Sequence, residues 1–221
     1  MRVDAVIFDM DGVIIDTEGP VQACCQRAAT DMGFELDDEF YVSELVGRGW
    51  SDCDEALVAR FGPAFSCSDF HARFEHLWSD RLHSRGIDVK PGFFELLAFL
   101  RSMGIPVAIA TSTHRPDAEV SLHAAGINET FDAFVTGDEV RQGKPHPEIY
   151  LAAAAALSVH PSGCVAIEDS SAGVLSATRA GITTLLIPDG ERRPTPEAAS
   201  AAFRILRSLH EARTVLAALI N

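Results

Sequence analysis

Positive charge is in short supply in this 221-residue chain: 18 basic residues stand against 32 acidic ones, for a formal net charge of −14. Nucleic acid and anionic membrane surfaces both call for a basic patch, so neither is expected as a partner. An anionic small molecule stays open, because local rather than net charge decides its binding. Only two basic residues are lysines, Lys90 and Lys144, so lysine-dependent chemistry has two candidates. The five cysteines (Cys24, Cys25, Cys53, Cys67 and Cys164) are odd in number and form no C-x-x-C pair. That spacing suggests neither a disulfide framework nor a zinc site, and the expected compartment is a reducing cytoplasm. No apolar run reaches the roughly 18 residues of a membrane span. The N-terminus opens on a strand-like run and a charged motif, which does not read as a signal peptide.

What is present is the balance of an ordinary globular protein, 47% apolar and 23% charged. The length predicts one large domain or a core with an insert. Val3–Phe8 is apolar except for Asp4, and similar short runs recur at Val107–Ala110, Phe134–Thr136, Val165–Ile167 and Thr184–Ile187. Runs of this kind suit strands buried on both faces of a parallel sheet. Between them, helical stretches at Phe93–Met103, Arg115–Ala125 and Ser171–Ala180 each stop at a Gly-Ile pair. Glycine takes the left-handed conformation that ends a helix, and the next apolar residue packs back on the last turn. Strand, helix, Gly-Ile, strand is the grammar of an α/β fold with a doubly wound parallel sheet. Residues 19–86 break it, with amphipathic stretches near Pro20–Met32, Asp52–Arg60 and Ser68–His83 and no buried strand. They predict an all-helical cap domain, 19–86, inserted into a core made of 1–18 and 87–221, with crossings near Asp16–Gly19 and Gly86–Gly92.

The chemistry-bearing residues fall at strand ends, where an open parallel sheet binds its ligands. Asp9-Met10-Asp11-Gly12 follows the first strand and offers two carboxylates, one to attack and one to move a proton. The plainer alternative is a turn and a helix cap. Thr111-Ser112 follows the second run; their hydroxyls could hold a phosphoryl oxygen or cap the next helix. Lys144 lies in Gly-Lys-Pro-His-Pro before a helix starting near Pro147, where a solvated surface lysine is the ordinary alternative. Glu168-Asp169-Ser170 follows the run Val165–Ile167 and could be caps, but would cluster at the same sheet edge as Asp9. His71, His76, His83 and His123 show no ligand-like cluster with carboxylates and read as surface or packing residues. Cys24 and Cys25 read as packing.

Taken together, Asp9-x-Asp11-Gly12-Val13, Thr111-Ser112, Lys144-Pro145 and Glu168-Asp169-Ser170-x-x-Gly173 resemble, in order, the four motifs of the haloacid dehalogenase superfamily. The resemblance spans essentially residues 1–190 and points to the helical-cap branch, near β-phosphoglucomutase and the sugar-phosphate phosphatases. It implies a Rossmann-like core in which Asp9 forms an aspartyl-phosphate and Asp11 serves as acid and base. It also implies Mg2+ held by Asp9, the Asp11 backbone carbonyl and Asp169, with Glu168 a further ligand directly or through water, while Thr111 and Lys144 neutralise the transferring group. Dehalogenases typically lack the second aspartate, so Asp11 favours phosphoryl transfer. Phosphonatases use a cap lysine, and no lysine precedes Lys90. The histidine and lysine of the mutases fall at Val21 and His114, which weakens the mutase reading; His114 joins Ser112 as a substrate-binding candidate. Val46–Trp50 lies where relatives place a substrate-contacting loop, with Arg48 a binding candidate and Trp50 a cap-core residue. The expected function is thus phosphohydrolysis of a small phosphorylated metabolite, a sugar phosphate above all, by a monomer or weak homodimer. A mutase is the first alternative and a catalytically inactive phosphate-binding protein the second.

Overall fold

The structure is a computed structural model that describes residues 3–46, 50–128, 130–190 and 193–220. The chain divides into two compact units, residues 1–16 with 87–221, and residues 17–86. The first unit holds six strands: β1 (Ala5–Phe8), β2 (Val107–Ala110), β3 (Ala133–Val135), β4 (Cys164–Glu168), β5 (Thr183–Leu186) and β6 (Arg204–Ile205). All pair in parallel, in the order β3-β2-β1-β4-β5-β6. The helices of the chain are α1 (Glu18–Asp31), α2 (Asp38–Phe40), α3 (Trp50–Phe61), α4 (Cys67–Arg85), α5 (Phe93–Ser102), α6 (Arg115–Ala124), α7 (Glu148–Ala156), α8 (Ser171–Arg179), α9 (Pro196–Ala201) and α10 (Leu209–Ile220).

Strand alternation sorts the sheet side chains. Ala5, Ile7, Ala108, Ala110 and Ala166 pack with Tyr150, Ala153 and Ala154 of α7 and Ala177 of α8. Small side chains on this face let the two helices approach closely. On the opposite face Phe8 meets Phe93 of α5, edge to face, at 5.8 Å between ring centroids. With both faces covered, every residue of β1 is fully buried, which is why the strand reads as an unbroken apolar run. The Gly-Ile stops form as expected. Gly104, Gly126 and Gly181 have φ of +68°, +72° and +79°. The N–H groups of Ile105, Ile127 and Ile182 donate to Leu100, Leu122 and Ala177, each at 3.0 Å, closing the last helical turn.

The second unit is helical among its described residues and has its own core, in which Cys25, Ala28, Tyr41, Leu57, Phe65 and Phe70 are buried together. Between α2 and α3 the backbone takes a π-helical turn over Tyr41–Leu45, which no periodicity announced. One reading needs correction. Trp50 is 45% exposed rather than a core residue, its ring resting 4.6 Å from His71 and 5.1 Å from Phe74 by centroids. His71 lies beside a single carboxylate, Asp54, at 2.8 Å, where one turn of α3 faces α4, which is one partner and not a ligand cluster.

Candidate active site

The site begins with the sheet order. Strand order reverses between β1 and β4, and the crevice beyond that switch point is where an open α/β sheet receives a ligand. Asp9 is the first residue past β1, and its N–H donates to Ile167 of β4 at 2.9 Å. Glu168 and Asp169 stand at the end of β4, and Thr111 at the end of β2, the other neighbour of β1. Topology alone therefore brings four of the expected residues to one place. The cap alternative is taken up by Ser170, whose Oγ accepts from Gly173 N at the start of α8, while α6 starts after His114 rather than after Thr111 or Ser112.

Lys144 reaches this crevice from the segment before α7. Its Nζ donates to Asp9 Oδ1 at 2.5 Å and to Glu168 Oε1 at 2.6 Å. A surface lysine this is not, since its side chain is only 6% exposed. Burial opposes its charge, but Asp9 and Glu168 outweigh burial and hold it as an ammonium well above the usual lysine range. Burial likewise pushes the Asp9 carboxyl up, to about 7; Lys144 pulls it back, while Glu168 and Asp11 push it further up. One ammonium among several carboxylates thus leaves the cluster short of positive charge.

Glu168 is fully buried, and its carboxylate accepts five donors: Lys144 Nζ, Tyr150 Oη, the N–H groups of Asp169 and Ser170, and Ser170 Oγ. Gly173 explains the room it has. A Cβ there would stand 1.8 Å from Glu168 Oε1 and 2.2 Å from Oε2. Gly173→Ala should therefore force Glu168 aside and carry Lys144 with it. The expected cost is about 1–3 kcal/mol of stability from overpacking and at least about a tenfold fall in kcat/KM from misplaced partners. A thermal melt with steady-state kinetics on p-nitrophenyl phosphate checks this, and wild-type kinetics would refute the coupling.

Asp11 is held from the second loop. Thr113 Oγ1 donates to Asp11 Oδ2 at 2.7 Å, and Thr111 Oγ1 approaches the same oxygen at 3.5 Å. Thr111 Oγ1 also accepts from Thr113 N at 3.1 Å, folding the loop into a hydroxyl-stabilised turn. The loop after β3 braces it: Gly137 N donates to Thr113 O at 3.1 Å, and a Cβ on Gly137 would meet Ser112 O at 2.2 Å. Ser112 and His114 lie exposed on this loop. Arg48 falls outside the described residues. Sequence reasoning missed Thr113 and Tyr150. Thr113 was legible only as a third hydroxyl after Thr111-Ser112; Tyr150 gave no signal, since an aromatic on an apolar helix face reads as core.

Asp9, Glu168 and Asp169 form a group able to hold a metal ion, each offering one carboxylate oxygen, with these atoms all within 4.8 Å of one another. The donor set is oxygen only, as Mg2+ and Ca2+ prefer, and a cation would supply the missing positive charge. The residues present fit a divalent metal.

The chain is also similar to proteins already known. The sequence profile described as haloacid dehalogenase-like hydrolase matches residues 6–187. A phosphorylated carbohydrates phosphatase of Thermotoga maritima is 36% identical over 179 residues, covering 81% of this chain and 82% of that protein. Hexitol phosphatase A of Escherichia coli is 33% identical over 187 residues, 85% of this chain and 84% of that protein. Crystal structures of CbbY from Rhodobacter sphaeroides, one with phosphate and one of a variant with xylulose 1,5-bisphosphate, superpose with a TM-score of 0.78 at 29% identity, over 95% of this chain and 96% of that one. Among the described residues, no helix is long and apolar enough to cross a membrane.

Proposed function

Because this chain belongs to the haloacid dehalogenase-like hydrolases and is a phosphatase of that family, we propose that it hydrolyses a small phosphorylated sugar or sugar alcohol through a phosphoryl group carried on Asp9. The observation that supports this most directly is the pairing of two differently held carboxylates: Asp9 fixed by Lys144, and Asp11 fixed by Thr113. In this reading a carboxylate oxygen of Asp9 attacks phosphorus, the bond from phosphorus to the sugar oxygen breaks, and Asp11 gives that oxygen its proton. Asp11 then takes a proton from water, the water oxygen attacks phosphorus, and Asp9 is released with inorganic phosphate. Lys144 and the Thr111 hydroxyl hold the phosphoryl oxygens in line and offset their charge. Asp9, Asp169 and the Asp11 backbone carbonyl would hold Mg2+, which when bound polarises the phosphoryl group. Glu168 would place Lys144 and, with five donors already on its carboxylate, would complete the metal site through water more readily than by direct contact. Residues 19–86 would act as a cap that closes over the site and selects the substrate, with Arg48 contacting its leaving portion. The names of the relatives, a carbohydrate phosphatase and a hexitol phosphatase, support the sugar-phosphate class.

The test is a panel of hexose, hexitol and pentulose phosphates beside p-nitrophenyl phosphate, with Mg2+ and after exhaustive chelation. Sugar or sugar-alcohol phosphates should be turned over with higher kcat/KM than the generic ester, and chelation should abolish both. Undiminished turnover without metal, or preference for the generic ester, would sink the reading.

Metal binding should also report on Asp9. Without a cation Asp9 titrates at about 7, so below that pH the ion must displace a proton. The apparent Mg2+ affinity is expected to fall roughly tenfold per pH unit below about 7 and to level off above it, with one proton released per ion at low pH. Calorimetry in buffers of different ionisation enthalpy measures this. An affinity that does not change between about pH 5.5 and 7 would contradict it, and Asp9→Asn should abolish the slope.

A further inference from the structure

Lys90, the other of the two lysines, has no part in the reaction proposed above, yet it is largely shielded from solvent. Its Nζ lies 2.5 Å from Asp189 Oδ1 and 3.6 Å from Asp16 Oδ1, with its side chain 20% exposed and that of Asp189 only 11%. Its backbone is anchored as well: Lys90 N donates to Ile14 O at 2.8 Å and Asp16 N to Asp88 O at 2.9 Å, while Ile15 and Val89 form an antiparallel bridge. Lys90 therefore ties together three segments: the turn after β1, the return of the chain into the core, and the loop after β5.

The third of these segments carries Asp189 to the Asp11-Gly12 turn. Gly12 has φ of +79°, and a Cβ on it would stand 2.6 Å from Asp169 Oδ2 and 3.1 Å from Asp189 Oδ2. The turn bearing Asp11 is wedged between the carboxylate of Asp169 and that of Asp189. A carboxylate oxygen placed beside another repels it, and Lys90, on the other oxygen of Asp189, offsets this only in part. A hydrated divalent ion changes that, because the waters it keeps need acceptors, and the groups around its ligands fix their geometry.

We propose that Asp189, anchored by Lys90, is a positioning residue of the cation site: its Oδ2 borders the Asp11-Gly12 turn beside Asp169 and strengthens Mg2+ binding without being a ligand. The inference rests on the reading of Asp9 and Asp169 as metal ligands. It accounts for a half-shielded ion pair next to the turn, and for the Gly12 conformation that leaves both carboxylates room.

The experiment is calorimetric titration of the metal-free full-length chain with Mg2+, comparing wild type, Asp189→Asn and Lys90→Met. Asp189→Asn is expected to weaken Mg2+ about tenfold or more, with its metal-free melting temperature and its KM for p-nitrophenyl phosphate at saturating Mg2+ unchanged. A purely structural role would instead lower the metal-free melting temperature and leave the affinity of the folded fraction intact. Lys90→Met, which leaves Asp189 without its anchor, should weaken Mg2+ in the same direction, and it decides the matter if Asp189→Asn does not fold. Wild-type affinity in these variants, or tighter binding in Lys90→Met, would overturn the inference alone. A wild type that takes up no Mg2+ would overturn it together with the metal-site reading beneath it.

Discussion

Asp9→Asn is expected to lower turnover by about 10⁴-fold or more, the scale seen when a nucleophile is removed from a site whose parts act as a unit, while the protein stays folded. The substitution keeps the shape of the side chain and leaves the Asp9 N–H to Ile167 bond of the sheet untouched. Its effect on stability follows from the raised carboxyl. The folded value is about 7 against 3.8 for the free group, so the folded state favours the protonated form. A raised folded value gives stability that is complete below the unfolded value and is lost as pH rises through about 7. Above that range the metal-free wild type must ionise a buried carboxyl, and Asn need not. Metal-free Asp9→Asn should therefore melt no lower than wild type at about pH 8, even though it is inactive. Acid-quenched protein from a reaction with labelled substrate should carry phosphate in wild type and none in the variant. A folded variant with wild-type turnover would remove Asp9 as the nucleophile.

Lys144→Met should damage both activity and fold. Lys144 is the cation that Asp9 and Glu168 share, and Glu168 has no exposure to water. Taking one partner from a buried pair leaves an uncompensated charge, at a cost of about 3–5 kcal/mol. The loss of charge stabilisation on the transferring group should lower kcat/KM by about 10²–10³-fold. Lys144→Arg should not restore activity. A planar fork cannot put one nitrogen within 2.6 Å of both carboxylates the way a compact ammonium does. Denaturant melts of the metal-free protein, paired with kinetics on p-nitrophenyl phosphate, separate the two losses. An unchanged midpoint would mean that the carboxylates find another way to be neutralised.

The parts of this molecule that could be read from its sequence are those where one physical demand fixes a residue type. Strands covered on both faces must be largely apolar, so β1, β2, β4 and β5 stood out, as did β3 from the run Phe134–Thr136. Helix ends needing a positive φ and a buried next residue produced the Gly-Ile pairs. β6 could not be read, because two exposed edge residues, Arg204 and Ile205, carry no pattern. Within the site, residues at strand ends were legible because topology sends them to one crevice. Tyr150 and Thr113 were not, since each acts through another side chain and the partner is chosen by the fold. Gly173 stood in a motif, but its reason, the space occupied by the Glu168 carboxylate, lies in a contact between chain segments and not in spacing. Lys90 was noticed for its rarity alone; what it touches, 99 residues away, had no trace in the sequence.

The short antiparallel pairing of residues 14–16 with 88–90 has a consequence for how such a chain can change. Because Asp16 N already meets Asp88 O, the core sees residues 17–86 as a detour that leaves and re-enters at one doorstep. The entropy of closing that detour grows only with the logarithm of its length, roughly 0.6 kcal/mol for each doubling. The inserted segment also brings its own buried centre. A change in its length therefore costs little closure entropy at a crossing that the Asp16 N to Asp88 O and Lys90 N to Ile14 O bonds already hold together. The insert and the carboxylate cluster thus come from separate stretches of chain, and a change in the length of one does not alter the residues of the other.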